Sequence, residues 1–163
     1  MLWALSARRE PPVTPPVTPV QVPARVEQGW AVEDYDVIEA VVRHVLKGDS
    51  GLVDKTIFLS SPGNVYPGDD FMKRFADCRQ RIRFVGTHKL TERGDYTYVD
   101  GETGEETSIL TITVQRRVSA NELEVAVSLY AGPEGAERYT CRVVRDGPDK
   151  PWVVHEPKVK DVS

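Results

Sequence analysis

The chain has 163 residues, with 21 Lys+Arg against 25 Asp+Glu and a net charge of −4. That is about one domain's length, and the mild acidity argues against a nucleic-acid binder, which carries a basic excess on one face. Hydrophobic residues at 40% and charged residues at 28% describe a globular chain rather than a disordered one. No stretch approaches the ~20 apolar residues of a membrane span, and two cysteines are too few for a disulfide scaffold or a four-cysteine zinc site.

In chain order, Met1-Leu2-Trp3-Ala4-Leu5-Ser6-Ala7-Arg8-Arg9 comes first. Its apolar run is shorter than the ~7–15-residue core of a signal peptide, with no basic region ahead of it. The order of apolar run, charged pair and proline spacer resembles the end of an export signal or anchor. Two expectations therefore stand side by side: an exported or membrane-anchored product whose anchor lies upstream, and a cytoplasmic protein with a disordered lead-in. Six prolines follow between Pro11 and Pro23, with PPVT repeated. Proline fixes φ and lacks the backbone donor, so this run predicts a polyproline-II spacer. Residues 1–29 are expected to be a Pro-rich tether, and 30–163 a single α+β domain.

From Glu33 to Leu46 the apolar residues Tyr35, Ile38, Val41, Val42, Val45 and Leu46 recur at three- and four-residue spacings. That pattern predicts an amphipathic helix over about 33–47. Acidic residues stand at its start, where the helix dipole favours them, and Gly48 is the expected stop. Thr56–Leu59 reads as a short buried strand, broken by Ser60-Ser61-Pro62-Gly63-Asn64. A second helix is expected from Asp69 or Asp70 to about Arg79, with Phe71 and Phe75 one turn apart. Residues 81–85 and 96–99 are weaker strand candidates. After residue 107 the period changes to two. Leu110, Ile112 and Val114 share one face, then Leu123, Val125, Val127 and Leu129, then Tyr139, Cys141 and Val143, and a last strand at Trp152–His155. Alternation between turns predicts an antiparallel meander with one face buried. The predicted fold is α+β, two helices packed on a curved antiparallel sheet.

The helix Tyr35–Leu46, the strands Ile109–Val114 and Leu123–Tyr130, and the closing Arg142-Val-Val-Arg…Lys150-Pro-Trp-Val-Val resemble the NTF2-like and cystatin-like superfamilies over about residues 33–159. The resemblance implies a bent sheet wrapped around a helix. It also implies a pocket between the two, in which a carboxylate or histidine acts as general base. Candidates for that pocket are Tyr35, Glu39 and His44 from the helix, with Tyr130 and Tyr139 from the sheet. The alternative for the tyrosines is a place at the core's edge with hydroxyls in water.

Cys78 and Cys141 allow either one disulfide, if the chain is exported, or two separate buried thiols. His44, His88 and His155 show no metal-ligand spacing, so no metal or cofactor is expected. The acidic run Asp100–Glu106 lacks the order of a calcium loop and reads as a solvated hairpin turn. Arg79, Arg81 and Arg83 alternate as strand residues would, yet three arginines do not make a nucleic-acid site. No nucleophile elbow, phosphate loop or CxxC occurs. The expected function is a non-catalytic binding or assembly domain on a Pro-rich arm. Its partner is a small molecule or a protein, including a second copy docked through the sheet. Nucleic acid is not expected, and membrane contact only through the anchor inferred upstream. The alternative is an NTF2-like hydrolase or isomerase using His44 or a nearby carboxylate.

Overall fold

A computed structural model describes residues 29–133, 135–155 and 161–162. The predicted tether therefore lies outside the described residues, except for Gly29. The first element is a 3₁₀ turn, Val32–Asp34, which runs straight into helix α1, Tyr35–Gly48. Ile38, Val41, Val42, Val45 and Leu46 form its buried stripe, as the spacing predicts, joined by Val37, while Tyr35 is only partly buried. Asp36 in the first turn and Lys47 in the last complement the helix dipole. Gly48 is the last helical residue, not a left-handed stop; the chain leaves the helix at Asp49, which is extended.

The main sheet has the order β2-β1-β5-β6-β7-β8, built from β1 (Thr56–Ser60), β2 (Arg81–Phe84), β5 (Thr107–Ser119), β6 (Glu122–Tyr130), β7 (Ala136–Val144) and β8 (Val153–His155). A two-residue strand, β9 (Asp161–Val162), also pairs with β7. A separate hairpin joins β3 (Leu90–Glu92) and β4 (Tyr98–Asp100). The run from β5 to β8 is the expected antiparallel meander. At the other end β1 lies parallel to both β2 and β5, so the sheet is mixed. A parallel pair needs a crossover, and between β1 and β2 that crossover holds the second helical segment. It is shorter than the sequence predicts: one α-turn, α2 (Asp69–Met72), then a 3₁₀ turn over Lys73–Phe75. From there the bonds run three residues back, Ala76 to Lys73 and Cys78 to Phe75, and the tighter turn ends the helix before Arg79.

Alternation places Leu110, Ile112 and Val114 of β5, Leu123 to Leu129 of β6, and Cys141 and Val143 of β7 on the helix side. They form one continuous core with the stripe of α1, with Trp30, Phe71 and Phe75, and with Phe84 of β2. On the outer side Phe58 is fully buried, where the β3–β4 hairpin lies against the sheet. The hairpin is latched by Asp100, which is itself fully buried rather than in a solvated turn. Arg83, paired in register with Phe58 on that side, brings its Nε to 3.1 Å from the Asp100 carboxylate, whose other oxygen accepts the Glu102 N–H at 2.9 Å. Gly101 permits the tight approach. Its N–H donates to the Lys89 carbonyl at 2.6 Å, and a Cβ there would meet the Lys89 side chain at 2.6 Å. Among the described residues no helix is long and apolar enough to cross a membrane.

Candidate functional site

The residues expected to share one pocket are divided by the fold. Tyr35 packs its ring on Phe71 at 4.5 Å and donates its hydroxyl to the Pro67 carbonyl at 2.8 Å, so it braces the crossover. Tyr130 projects to the outer side, donates to the Tyr96 carbonyl at 2.5 Å and meets the Tyr98 ring edge-on at 5.4 Å. Tyr139 lies half-buried against the core from β7. Only Glu39 and His44 come together, on a flank of α1 that faces away from the centre of the core.

That flank forms one wall of an open cleft of about 690 Å³. Asp36, Ala40, Arg43 and Lys47, at four- and three-residue spacings, line it together with Glu39 and His44. The opposite wall is Arg145, the turn Pro148–Pro151, and Trp152, Val153 and Val154. Turn chemistry shapes this wall. The Lys150 N–H donates to the Gly147 carbonyl at 3.1 Å, and Arg145 ties the segment down. Its guanidinium lies 4.5 Å over the Trp152 ring and donates to Asn121 Oδ1, to the Ala120 carbonyl and to the Pro148 carbonyl.

Part of the cleft's charge is already neutralised by ion pairs. Arg43 Nε donates to Glu39 at 2.8 Å, while its Nη2 reaches Asp77 at 2.9 Å and the Arg74 carbonyl at 2.5 Å. Arg74 bridges Asp36 at 2.6 Å and the second oxygen of Glu39 at 3.1 Å. Hydrogen bonds from Arg43 hold the Asp77 carboxyl below its ordinary range. Lys47 and Lys150 are exposed and form no ion pair within the described residues, as is true of Asp149 between Lys150 and Pro148. The cleft thus offers two uncommitted ammonium groups, one uncommitted carboxylate, and an apolar patch of Ala40, Trp152 and the flanking prolines. The sequence offers the closing Lys150-Pro-Trp-Val-Val only as a strand pattern; that its turn folds back toward α1 is a property of the tertiary structure.

Other candidates resolve as structural pairs. Arg79 forks onto Asp54 at 2.7 and 2.9 Å, Arg81 stands 3.8 Å from Glu105, and Arg83 serves Asp100 and Glu102, so the arginine series is matched by acids. The two cysteines are free thiols and are not joined. Cys141 is buried on the helix side of β7 with its thiol against the Val125 carbonyl of β6, whereas Cys78 sits part-buried near Arg43, its Sγ 3.7 Å from Nη1. Among the described residues no three His, Cys, Asp or Glu side chains gather where a metal ion could be held. Comparison with family models, curated proteins and solved structures finds no match for this chain.

Proposed function

We propose that this is a non-catalytic binding domain and that the cleft between α1 and the 145–154 segment is its ligand site. One observation carries the reading. The apolar stripe of α1 and the helix-side face of the sheet close directly on each other, while the free flank of the same helix opens into a cleft with two unpaired lysines beside Trp152. Binding clefts combine an apolar wall with a few convergent polar groups, and here the polar groups favour an anion. The six prolines between Pro11 and Pro23 suit a spacer ahead of such a domain by composition.

A hydrolase or isomerase is the second reading, and the observation in its favour is that His44 and Glu39 line the same cleft. It draws less support, because each Glu39 oxygen is held by a guanidinium and a general base needs a lone pair free for the substrate proton. Arylcarboxylates titrated into the full chain, with amide chemical shifts followed by NMR, test the first reading. Perturbations concentrated at residues 36–47 and 145–154, and lost in Lys47→Ala/Lys150→Ala, are expected. Perturbations elsewhere, or none with either arylcarboxylates or short acidic peptides, would overturn it. Turnover of ester or ketone substrates that His44→Ala abolishes would establish the second reading instead.

A further inference from the structure

The cleft has a property that a small-molecule site does not require: one of its walls is the edge of a sheet. β8 is the last strand in the order, and among the described residues no strand lies on its outer side. Its Val153 and Val154 line the cleft. In antiparallel pairing with β7, alternate residues of an edge strand turn their N–H and C=O groups away from the partner, which leaves them ready to pair with another extended chain. Across from this edge runs the flank of α1. From Asp36 to Lys47 it spans roughly 16 Å at about 1.5 Å per residue, the length of about five residues of extended chain at ~3.3 Å each.

From this juxtaposition we infer that the ligand is an extended acidic peptide that adds to the free edge of β8 as a further strand, alongside the flank of α1. The inference rests on the reading of the cleft as a binding site and names its occupant. Main-chain pairing supplies affinity in such an arrangement, and the side chains that point into the site supply specificity. Residues two apart in a strand share a face. The bound segment therefore places an apolar side chain toward Ala40 and Trp152 and a carboxylate, two positions away, between Lys47 and Lys150. Exposed Asp149 disfavours a second acid beyond the first and rejects segments of dense negative charge. A phosphate or a bare arylcarboxylate would satisfy the lysines while leaving the strand edge unused.

Capped pentapeptides carrying Leu and Glu two positions apart, titrated against the full chain, provide the test. Replacing Glu by Gln should weaken binding about tenfold, the scale of one charge-assisted contact. Lys47→Ala/Lys150→Ala, both exposed positions, should erase that preference. N-methylation at one alternate set of peptide amides should abolish binding while the other set is tolerated, because only alternate amides of an added strand face the edge. Equal tolerance of both sets would overturn strand addition, and equal binding of the Gln peptides would overturn the acidic specificity. Arylcarboxylates that bind in the cleft when no pentapeptide does would sink this inference and leave the binding reading standing. Silence from both probe classes would remove the two together.

Discussion

The indole of Trp30 donates its Nε1–H to the backbone carbonyl of Ile112 at 2.8 Å, across 82 positions of sequence. β1 pairs with β5 only as far as Thr111, so the Ile112 carbonyl lies one residue beyond the end of its neighbour. Trp30 supplies the donor that a longer β1 would have given, while its ring packs on Phe71 and Phe84 at 5.5 and 6.1 Å.

Trp30→Phe keeps most of that ring packing and removes the donor. A buried carbonyl left without a partner costs about 1–3 kcal/mol. Thermal unfolding should therefore show a midpoint lower by roughly 3–10 °C at this chain length. Trp30→Ala loses the packing as well and should cost about 3–5 kcal/mol. A Phe variant with the wild-type midpoint would mean that water satisfies Ile112.

Arg43 fastens the crossover to α1. It reaches Glu39, Asp77 and the Arg74 carbonyl, and lies 5.9 Å over the Phe75 ring. Arg43→Lys keeps the charge but has no fork to serve several acceptors. It should lose most of what Arg43→Ala loses, about 1–2 kcal/mol because the site is partly exposed. Hydrogen exchange should quicken at residues 72–78 in both variants and stay unchanged in β6. In wild type the Asp77 carboxyl is held low by Arg43. Its contribution is thus present above the ordinary carboxylate range and is lost as pH falls through the lowered folded value. In Arg43→Ala, Asp77 should titrate at higher pH, measurable by NMR.

The elements that depend on local spacing are legible in the sequence: the 3.6-residue stripe of α1 and the two-residue alternation of β5, β6 and β7 follow directly from side-chain pattern. What is not legible depends on pairing. Nothing in Thr56–Leu59 says that it lies parallel to β5, because a fully buried four-residue run has no face to reveal its neighbours. Gln115 is another example. The register shifts between Val114 and Arg116, a β-bulge that turns Arg116 outward to Glu124 and Arg117 to the helix side, where it pairs with Asp34. Strict alternation would place Arg116 beside Val114 and Val125. The candidate site divides the same way. Glu39 and His44 follow from helical spacing, but Lys150 and Trp152 reach α1 only through the fold of the 145–152 turn.

The Asp100–Arg83 pair bears on the outer hairpin. Asp100 is 0% exposed and the Arg83 side chain 12%. Removing one partner of a buried pair leaves a charge without compensation and costs about 3–5 kcal/mol. Asp100→Ala should therefore unfold the β3–β4 hairpin or lower global stability by that amount. Arg83→Met combined with Asp100→Leu should recover most of the loss, since a packed apolar pair of similar volume is often neutral. Denaturant unfolding of the two single variants and the double variant gives the coupling directly. Purely additive losses would show that the pair is not a unit.

Finally, the thiols separate by burial, and their chemistry follows. Cys141 is 1% exposed, and burial pushes its thiol from 9.0 up to about 11. Cys78 is also raised by burial, with the Arg43 charge opposing, yet it keeps partial access to solvent. A thiol reagent should therefore modify Cys78 in the native protein and reach Cys141 only after unfolding, since thiolate formation and access both govern the rate. The pH dependence has a definite sign. Between 9.0 and about 11 the unfolded chain releases the Cys141 proton while the folded chain retains it. The unfolded state then binds fewer protons, and stability falls as pH rises through that window, by roughly 2–3 kcal/mol once both forms have titrated. Other groups titrate there too, so the comparison is with Cys141→Ala. That variant starts lower because of the cavity it creates, and its stability should decline less steeply from pH 9 to 11. Parallel declines in the two proteins would show that Cys141 ionises in the fold as readily as in the unfolded chain.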